Sequence, residues 1–252
     1  MARLKVICSM LNLSRFTMRI LLLFGLVGWL ANPSFASAAD PGANPDTLPM
    51  FGQPKIVRPD NLKSADQAFI RDSTLGYKSR QAASAAFAAQ GWSSLRTRHL
   101  DTAMLRFNQA WLLNEKNYAA FWGFGAVLSA HGRLLEAIEQ LEAARELIDE
   151  PAQRSALLCD LATLYSEYAA RLPAEGQLDR AQRFVGANNR FTESLENDPT
   201  FATAWREWAL SLYEQERYAE AWAKVKRARE LRAEPFAPEF LKKLSAKMAE
   251  PK

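Results

Sequence analysis

Two stretches of this chain carry one pattern thirty-four residues apart. Ala103-x₃-Phe107-x₂-Ala110 returns as Ala137-x₃-Leu141-x₂-Ala144, and Phe87 and Gly91 are matched by Phe121 and Gly125 at the same offset. A pattern repeated at a fixed period is the signature of stacked units, none of which buries its apolar face alone. Within each unit, apolar and small residues recur three and four apart, which is helix spacing. Turn residues divide the runs: Thr97-Arg98-His99 in one unit, His131-Gly132 in the next. Each unit therefore reads as a helical hairpin. Asp101 stands where a cap for the second helix of the first unit is expected, its carboxylate suited to the positive end of the helix.

The same register reappears late in the chain. Ala187-x₃-Phe191-x₂-Ser194 precedes Ala221-x₃-Val225-x₂-Ala228, again by thirty-four residues, with Pro199 at the turn between them. Proline there stops one helix and suits the start of another. From Ala137 to Ala187 the spacing is fifty residues, sixteen more than one unit. Tyr165, Tyr168, Ala169 and Leu172 keep a helical apolar period through the excess. Lengthened helices, from about Pro151 to Leu172 and from about Leu178 to Asn197, explain that better than an ordinary unit with an irregular loop. After Pro238, Phe240, Leu241, Leu244 and Met248 make an amphipathic stretch suited to covering the last unit.

The occupied slots resemble the tetratricopeptide repeat (TPR) family. Its large, small and aromatic positions are filled in the second unit by Phe121, Phe124, Gly125, Leu128, Ala137 and Leu141. In the last unit Trp205, Trp208, Ala209, Leu212, Ala221 and Val225 fill them. Gln90 and Ser94 occupy apolar slots of the first unit, a departure from the pattern. The resemblance implies an all-α fold, a TPR-type superhelix of antiparallel helix pairs with a C-terminal capping helix. It would occupy residues 62–252, with repeats at about 84–117 and 118–151, an irregular one at 152–201, and a last at 202–235. It also implies a concave wall made by the first helix of each pair. The residues that the alignment leaves for that groove are Trp92 and Arg96, Trp122 and Ser129, Asp160 and Thr163, and Arg206 and Tyr213. Tryptophan, tyrosine and arginine are enriched at binding hot spots. The lysine–asparagine set with which some family members hold a partner's C-terminal carboxylate has no counterpart here, since Ala88, Trp92 and Gly123 stand at such places.

The N-terminus reads as a targeting signal. Arg3, Lys5, Arg15 and Arg19 precede an apolar run of eleven, Ile20 to Leu30, and then Ala36-Ser37-Ala38. Basic, apolar, then small-x-small predicts a secretory signal peptide over 1–38. The run is short for a membrane anchor, and Met18 is an alternative start. Residues 39–61 form a proline-rich segment expected to be extended, either a strap on the first helices or a tether. The chain holds 32 basic and 28 acidic side chains. Without the leader's four bases the balance is zero, which removes the electrostatic footprint of a nucleic-acid or lipid-surface binder. Cys159 alone remains after the leader and reads as a buried apolar residue.

Catalytic patterns are not found. His99 and His131 belong to no zinc-ligand spacing, and no phosphate-binding glycine loop or nucleophile elbow occurs. The expectation is a non-catalytic scaffold or assembly factor without a cofactor or metal, exported to the periplasm, binding a protein or peptide of the cell envelope. An envelope enzyme whose repeats position a substrate stays open as the alternative, as does self-association through an apolar face.

Overall fold

The structure, a computed structural model, describes residues 60–173 and 176–251. The expected signal peptide and all but the end of the proline-rich segment lie outside the described residues. Among the described residues the chain is all-α. A first helix, α1 (Asp60–Thr74), precedes four hairpins: α2 (Arg80–Arg96) with α3 (Leu100–Leu113), α4 (Tyr118–Ala130) with α5 (Leu134–Leu147), α6 (Pro151–Arg171) with α7 (Gln177–Asn197), and α8 (Ala202–Glu214) with α9 (Tyr218–Glu230). The last helix is α10 (Pro238–Lys247). None of these helices is long and apolar enough to cross a membrane.

Local chemistry accounts for the helix ends. Ser79 accepts a hydrogen bond from the Ala82 amide at 3.0 Å, and Asn117 accepts one from the Ala119 amide at 2.9 Å. These caps satisfy donors that the first turn leaves free. Pro151 and Pro238 open their helices, where a missing amide proton costs nothing. The cap expected at Asp101 is not made: α3 starts from His99, and Asp101 lies inside the first turn, near the helix's positive end. Three helix pairs turn through a residue in the left-handed region, Arg98 (φ 62°), Gly132 (φ 80°) and Glu216 (φ 59°). At each, the next amide bonds back to a carbonyl five residues earlier, as from Arg133 to Leu128 at 3.0 Å, which closes the helix end.

Each hairpin packs against the one before. The second helix of a pair meets the first helix of the next, as α3 meets α4, α5 meets α6 and α7 meets α8. First helices also meet across the pairs, α2 with α4 and α6 with α8. One apolar cluster runs from Trp92 and Leu95 in α2 to Leu157, Leu161 and Leu164 in α6. At its centre Phe107 of α3 lies between Gly91 of α2 and Gly123 of α4. A Cβ at either glycine would overlap the Phe107 ring, and a Cβ at Gly125 would overlap Leu141. The small residues that mark the register are therefore the places where helices approach most closely.

Buried polar bonds recur at the far ends of the pairs. Ser84 of α2 donates to the Ala110 carbonyl of α3 at 2.6 Å and accepts from Asn117 at 2.7 Å. In α6 and α7, Ser155 and Ser194 each donate to the other's carbonyl at 2.9 and 2.8 Å, and Asn197 donates to Ser155 at 2.8 Å. Beyond α9, Phe236 and Leu244 are buried against Leu212, Trp222 and Val225. The Trp222 indole donates to the Met248 carbonyl at 2.9 Å and fixes the end of α10.

Candidate partner-binding face

The first helices of the four pairs carry the eight residues expected to face a groove, and five of them are buried. Trp122 of α4 is only 1% exposed. It meets the Trp92 ring of α2 edge-on, with centroids 5.6 Å apart, and its indole donates to Asp160 of α6 at 3.0 Å. Trp92, Ser129, Asp160 and Arg206 are also buried. The expectation that Trp122 is free to face a groove is therefore corrected. Every position of α4 from Ala120 to Ser129 is buried, because α2, α3 and α5 pack around it and Asp160 of α6 meets Trp122. A helix apolar all round is a core helix, and α4 reads so: Tyr-Ala-Ala-Phe-Trp-Gly-Phe-Gly-Ala-Val-Leu-Ser-Ala.

The C-terminal part of this row is charged. Arg206 forms an ion pair with Glu207, donates to the Glu234 carbonyl at 3.1 Å and lies over the Phe236 ring at 5.7 Å. Its work is to tie α8 to the connection that follows α9. Cys159 is wholly buried next to this row. Burial pushes its thiol up, and the charges of Asp160 and Glu207 push it further, so it has the character of an inert core thiol.

Three of the eight stay accessible. Arg96 is exposed near the end of α2. Thr163 of α6 is partly exposed, with its hydroxyl donating to the Cys159 carbonyl at 2.9 Å. Tyr213 of α8 is partly exposed and packs on Tyr218 and Phe240 at 5.7 and 5.6 Å between centroids. These lie on three different first helices.

Two clefts lie at the turn ends of the pairs. The larger, about 470 Å³, is walled by Gln177, Arg180, Phe184, Val185 and Asn188 of α7 and by the α8–α9 turn, Glu214 to Arg217. The helix α7 begins two turns earlier than an ordinary unit would allow; Leu178 on that extension and Val185 just beyond it are exposed. The sixteen surplus residues were the sequence signal for it. The smaller cleft, about 410 Å³, brings His99 and His131 to one opening with Arg98 and Asp101. The Thr97 hydroxyl and His99 Nδ1 lie 3.0 Å apart in a hydrogen bond whose direction follows the ring tautomer, and the same hydroxyl reaches the Ser94 carbonyl at 3.0 Å. No cluster of three metal-ligating side chains occurs among the described residues.

Sequence spacing missed two other groupings. On α5, α6 and α7, Glu142, Arg145, Arg154, Arg190 and Glu193 form one network, with Arg190 to Glu193 at 2.6 Å and Arg154 to Glu193 at 2.8 Å. Burial works to raise the Glu193 carboxyl, but hydrogen bonds from Arg190 and Arg154 outweigh it and hold the group below the usual glutamate range. On α8 and α9, the Lys224 ammonium sits 3.7 Å from the Trp208 ring centroid and 4.8 Å from that of Trp205. Burial pulls the Lys224 amine down, Glu220 opposes that, and Arg217 adds to it. Contacts of this kind join residues far apart in sequence, so no local period announces them.

Comparison of the chain with protein-family models and with curated protein sequences gives no match.

Proposed function

We propose that this chain is a TPR-type array serving as a non-catalytic protein-binding scaffold or assembly factor of the cell envelope. One observation carries the reading: the thirty-four-residue recurrence falls on successive helix hairpins, α2–α3 and α4–α5, each packed on its neighbour through the small residues of the register. Arrays of this construction present long continuous surfaces, and partner recognition is their usual use. Export rests on the basic–apolar–small pattern of the first thirty-eight residues. The partner is a protein or a peptide segment, met on the accessible parts of the first helices, at Arg96, Thr163 and Tyr213.

The test uses residues 39–252 as bait on envelope extracts, with Arg96→Glu, Thr163→Arg and Tyr213→Ala as paired baits. Arg96 is exposed and the other two are partly so, with Tyr213 also packed on Phe240, so each variant enters the comparison only after its thermal transition shows a folded array. Capture of one defined protein by the parent bait, reduced at least tenfold by two of the three variants, supports the reading. Equal capture by all baits, or none by any, overturns it. Trp122→Ala is unsuited to this purpose, because a buried indole bonded to Asp160 reports on folding.

A further inference from the structure

The C-terminal segment lies on the side of α8 that the repeat register assigns to a partner. Arg206 and Tyr213 stand two helical turns apart on α8, so they share a face. Leu210, between them, joins the apolar cluster that includes Phe236 and Leu244. The chain's own end engages both Arg206 and Tyr213. Arg206 donates to the Glu234 carbonyl at 3.1 Å and lies over the Phe236 ring at 5.7 Å. Tyr213 meets the Phe240 ring edge-on at 5.6 Å. Phe236 and Phe240 stack on each other at 5.4 Å, and Leu244, one turn further on, is buried. Apolar anchors at this spacing are how an amphipathic helix lies in a groove. The hold is slight. Leu244 is the one buried residue of α10, where α8 buries six and α9 four. Phe240 and Leu241 are only partly covered, and no side chain caps the start of α10 at Ala237. Past α10 the segment is held by the Trp222 bond to the Met248 carbonyl and by a surface ion pair, Arg229 to Glu250 at 2.5 Å, the second a contact of small worth in water. Elements with few buried side chains open well below the free energy of global unfolding.

We propose that this face of α8 is a helix-binding surface, which the segment 234–248 occupies in the free protein and yields to an amphipathic helix of the partner. The inference rests on the reading that the first helices present the partner-binding face. The resident segment shows what the partner helix must carry. It needs an aromatic ring for the Arg206 guanidinium, a second ring one turn on for Tyr213, and an aliphatic residue a further turn on for the cluster of Leu212, Trp222 and Val225. The charged residues of α10, Glu239, Lys242, Lys243 and Lys247, are exposed, so the outer face of the partner helix is free to differ. Occupation by the resident segment lowers the apparent affinity for the partner in proportion to the fraction of molecules in which α10 is open. The C-terminal segment thus acts as an internal competitor as well as a cover for the last pair.

The experiment uses the full chain and, as probe, a fluorescent synthetic peptide of residues 234–251. Hydrogen exchange in the parent is expected to be at least a hundredfold faster at 242–247 than at 209–212 of α8. The peptide is expected to bind Phe240→Asp and Leu244→Asp at least tenfold more tightly than the parent, and to lose that gain when its own Phe240 is replaced by alanine. Exchange in α10 as slow as in α8, or equal peptide binding by parent and variants, overturns the proposal. Loss of the thermal transition in both variants also overturns it, since α10 would then be an indispensable part of the array. A doubled solution mass of the parent overturns it as well and assigns the face to a second copy. The probe comes from the chain itself, so the result does not depend on an envelope partner. Capture by the bait without peptide binding sinks this inference alone, and peptide binding without capture sinks the scaffold reading alone.

Discussion

The helices α2 to α5 and the hairpin α6–α7 solve one packing problem by different means. In the first region close approach does the work: Phe107 fills the space that Gly91 and Gly123 leave, and Leu141 fills the space beside Gly125. The helix α4 contributes one hydroxyl, Ser129, to its buried run, and Ser84 of α2, bonded to the Ala110 carbonyl, lies at the end of its pair. In α6–α7 the helices are longer, at 21 residues each, and polar bonds gather where α6 begins and α7 ends. Ser155 and Ser194 pair at one end, Asn197 joins them, and Arg154, Arg190 and Glu193 lie alongside. Long helices with few glycines can slide in register, and directional bonds resist sliding where apolar contacts do not. Both regions carry buried polar bonds at one end of a pair; what sets the first apart is the close approach at its glycines, and what sets the second apart is the reciprocal exchange between Ser155 and Ser194.

The sharpest way to break the comparison is at Phe107. Phe107→Ala removes a wholly buried ring that both α2 and α4 were shaped to receive. It is expected to cost about 3–5 kcal/mol, read as a fall in the denaturant midpoint. Gly125→Val attacks the same logic from the opposite side. Its Cβ meets the Leu141 side chain and the backbone carbonyl of Ala137, and backbone cannot move aside cheaply. Overpacking of this kind costs about 1–3 kcal/mol. If α2–α5 were a loose apolar collapse, both changes would fall well below these figures.

The inner row is the next target, because Asp160 joins the two regions. Asp160→Leu leaves the Trp122 indole without its acceptor, at about 1–3 kcal/mol for an unsatisfied buried donor. Asp160→Asn keeps an oxygen in place and recovers most of the loss. Equal losses in the two variants would mean that the bond between α4 and α6 is incidental.

How far this was legible in the chain differs between the same two regions. The register identified Gly91, Gly125, Ala137 and Ala144 because close approach demands small residues at a fixed period, and a period is visible in one sequence. The surplus of sixteen residues likewise gave α6 and α7 within a residue or two of their ends. Burial around Trp122 was not legible. Its slot on the helix is open in a shallow array, and only the distance between α2 and α6 decides whether it is covered. The Ser155–Ser194 exchange and the Glu142–Arg190 contact were equally hidden, since each joins residues about forty or more apart with no repeating pattern.

Removing one hydroxyl from the irregular pair has a smaller effect. Ser194→Ala removes a bond to the Ser155 carbonyl and is expected to cost about 1 kcal/mol. Acid supplies a related test. Glu193 has a lowered folded-state pKa, so its contribution is complete above the ordinary glutamate value of about 4.3 and is lost as pH falls through the folded value beneath it. Arg190→Ala weakens that linkage, so the variant's thermal midpoint should fall less steeply than the parent's on acidification below about pH 4.3. Parallel acid limbs would show that the network is too well solvated to matter.

A change of opposite sign is expected at the turns, where the regular pairs share one geometry with different residues. Gly132 and Arg98 hold equivalent left-handed positions, at φ 80° and 62°. A Cβ at Gly132 would meet nothing within 4 Å, so Gly132→Ala carries only the backbone penalty, about 1–2 kcal/mol. Arg98→Gly relieves the same penalty in the first pair, but glycine brings back unfolded-state freedom worth about 0.5–1 kcal/mol. The net gain is a few tenths to about 1 kcal/mol, visible as a rise of a few degrees in Tm. Opposite signs at these two positions would mean that the turns are interchangeable parts of one repeat. A fall in Tm for Arg98→Gly would instead show that the Arg98 side chain holds the α2–α3 turn in a way that Gly132 does without.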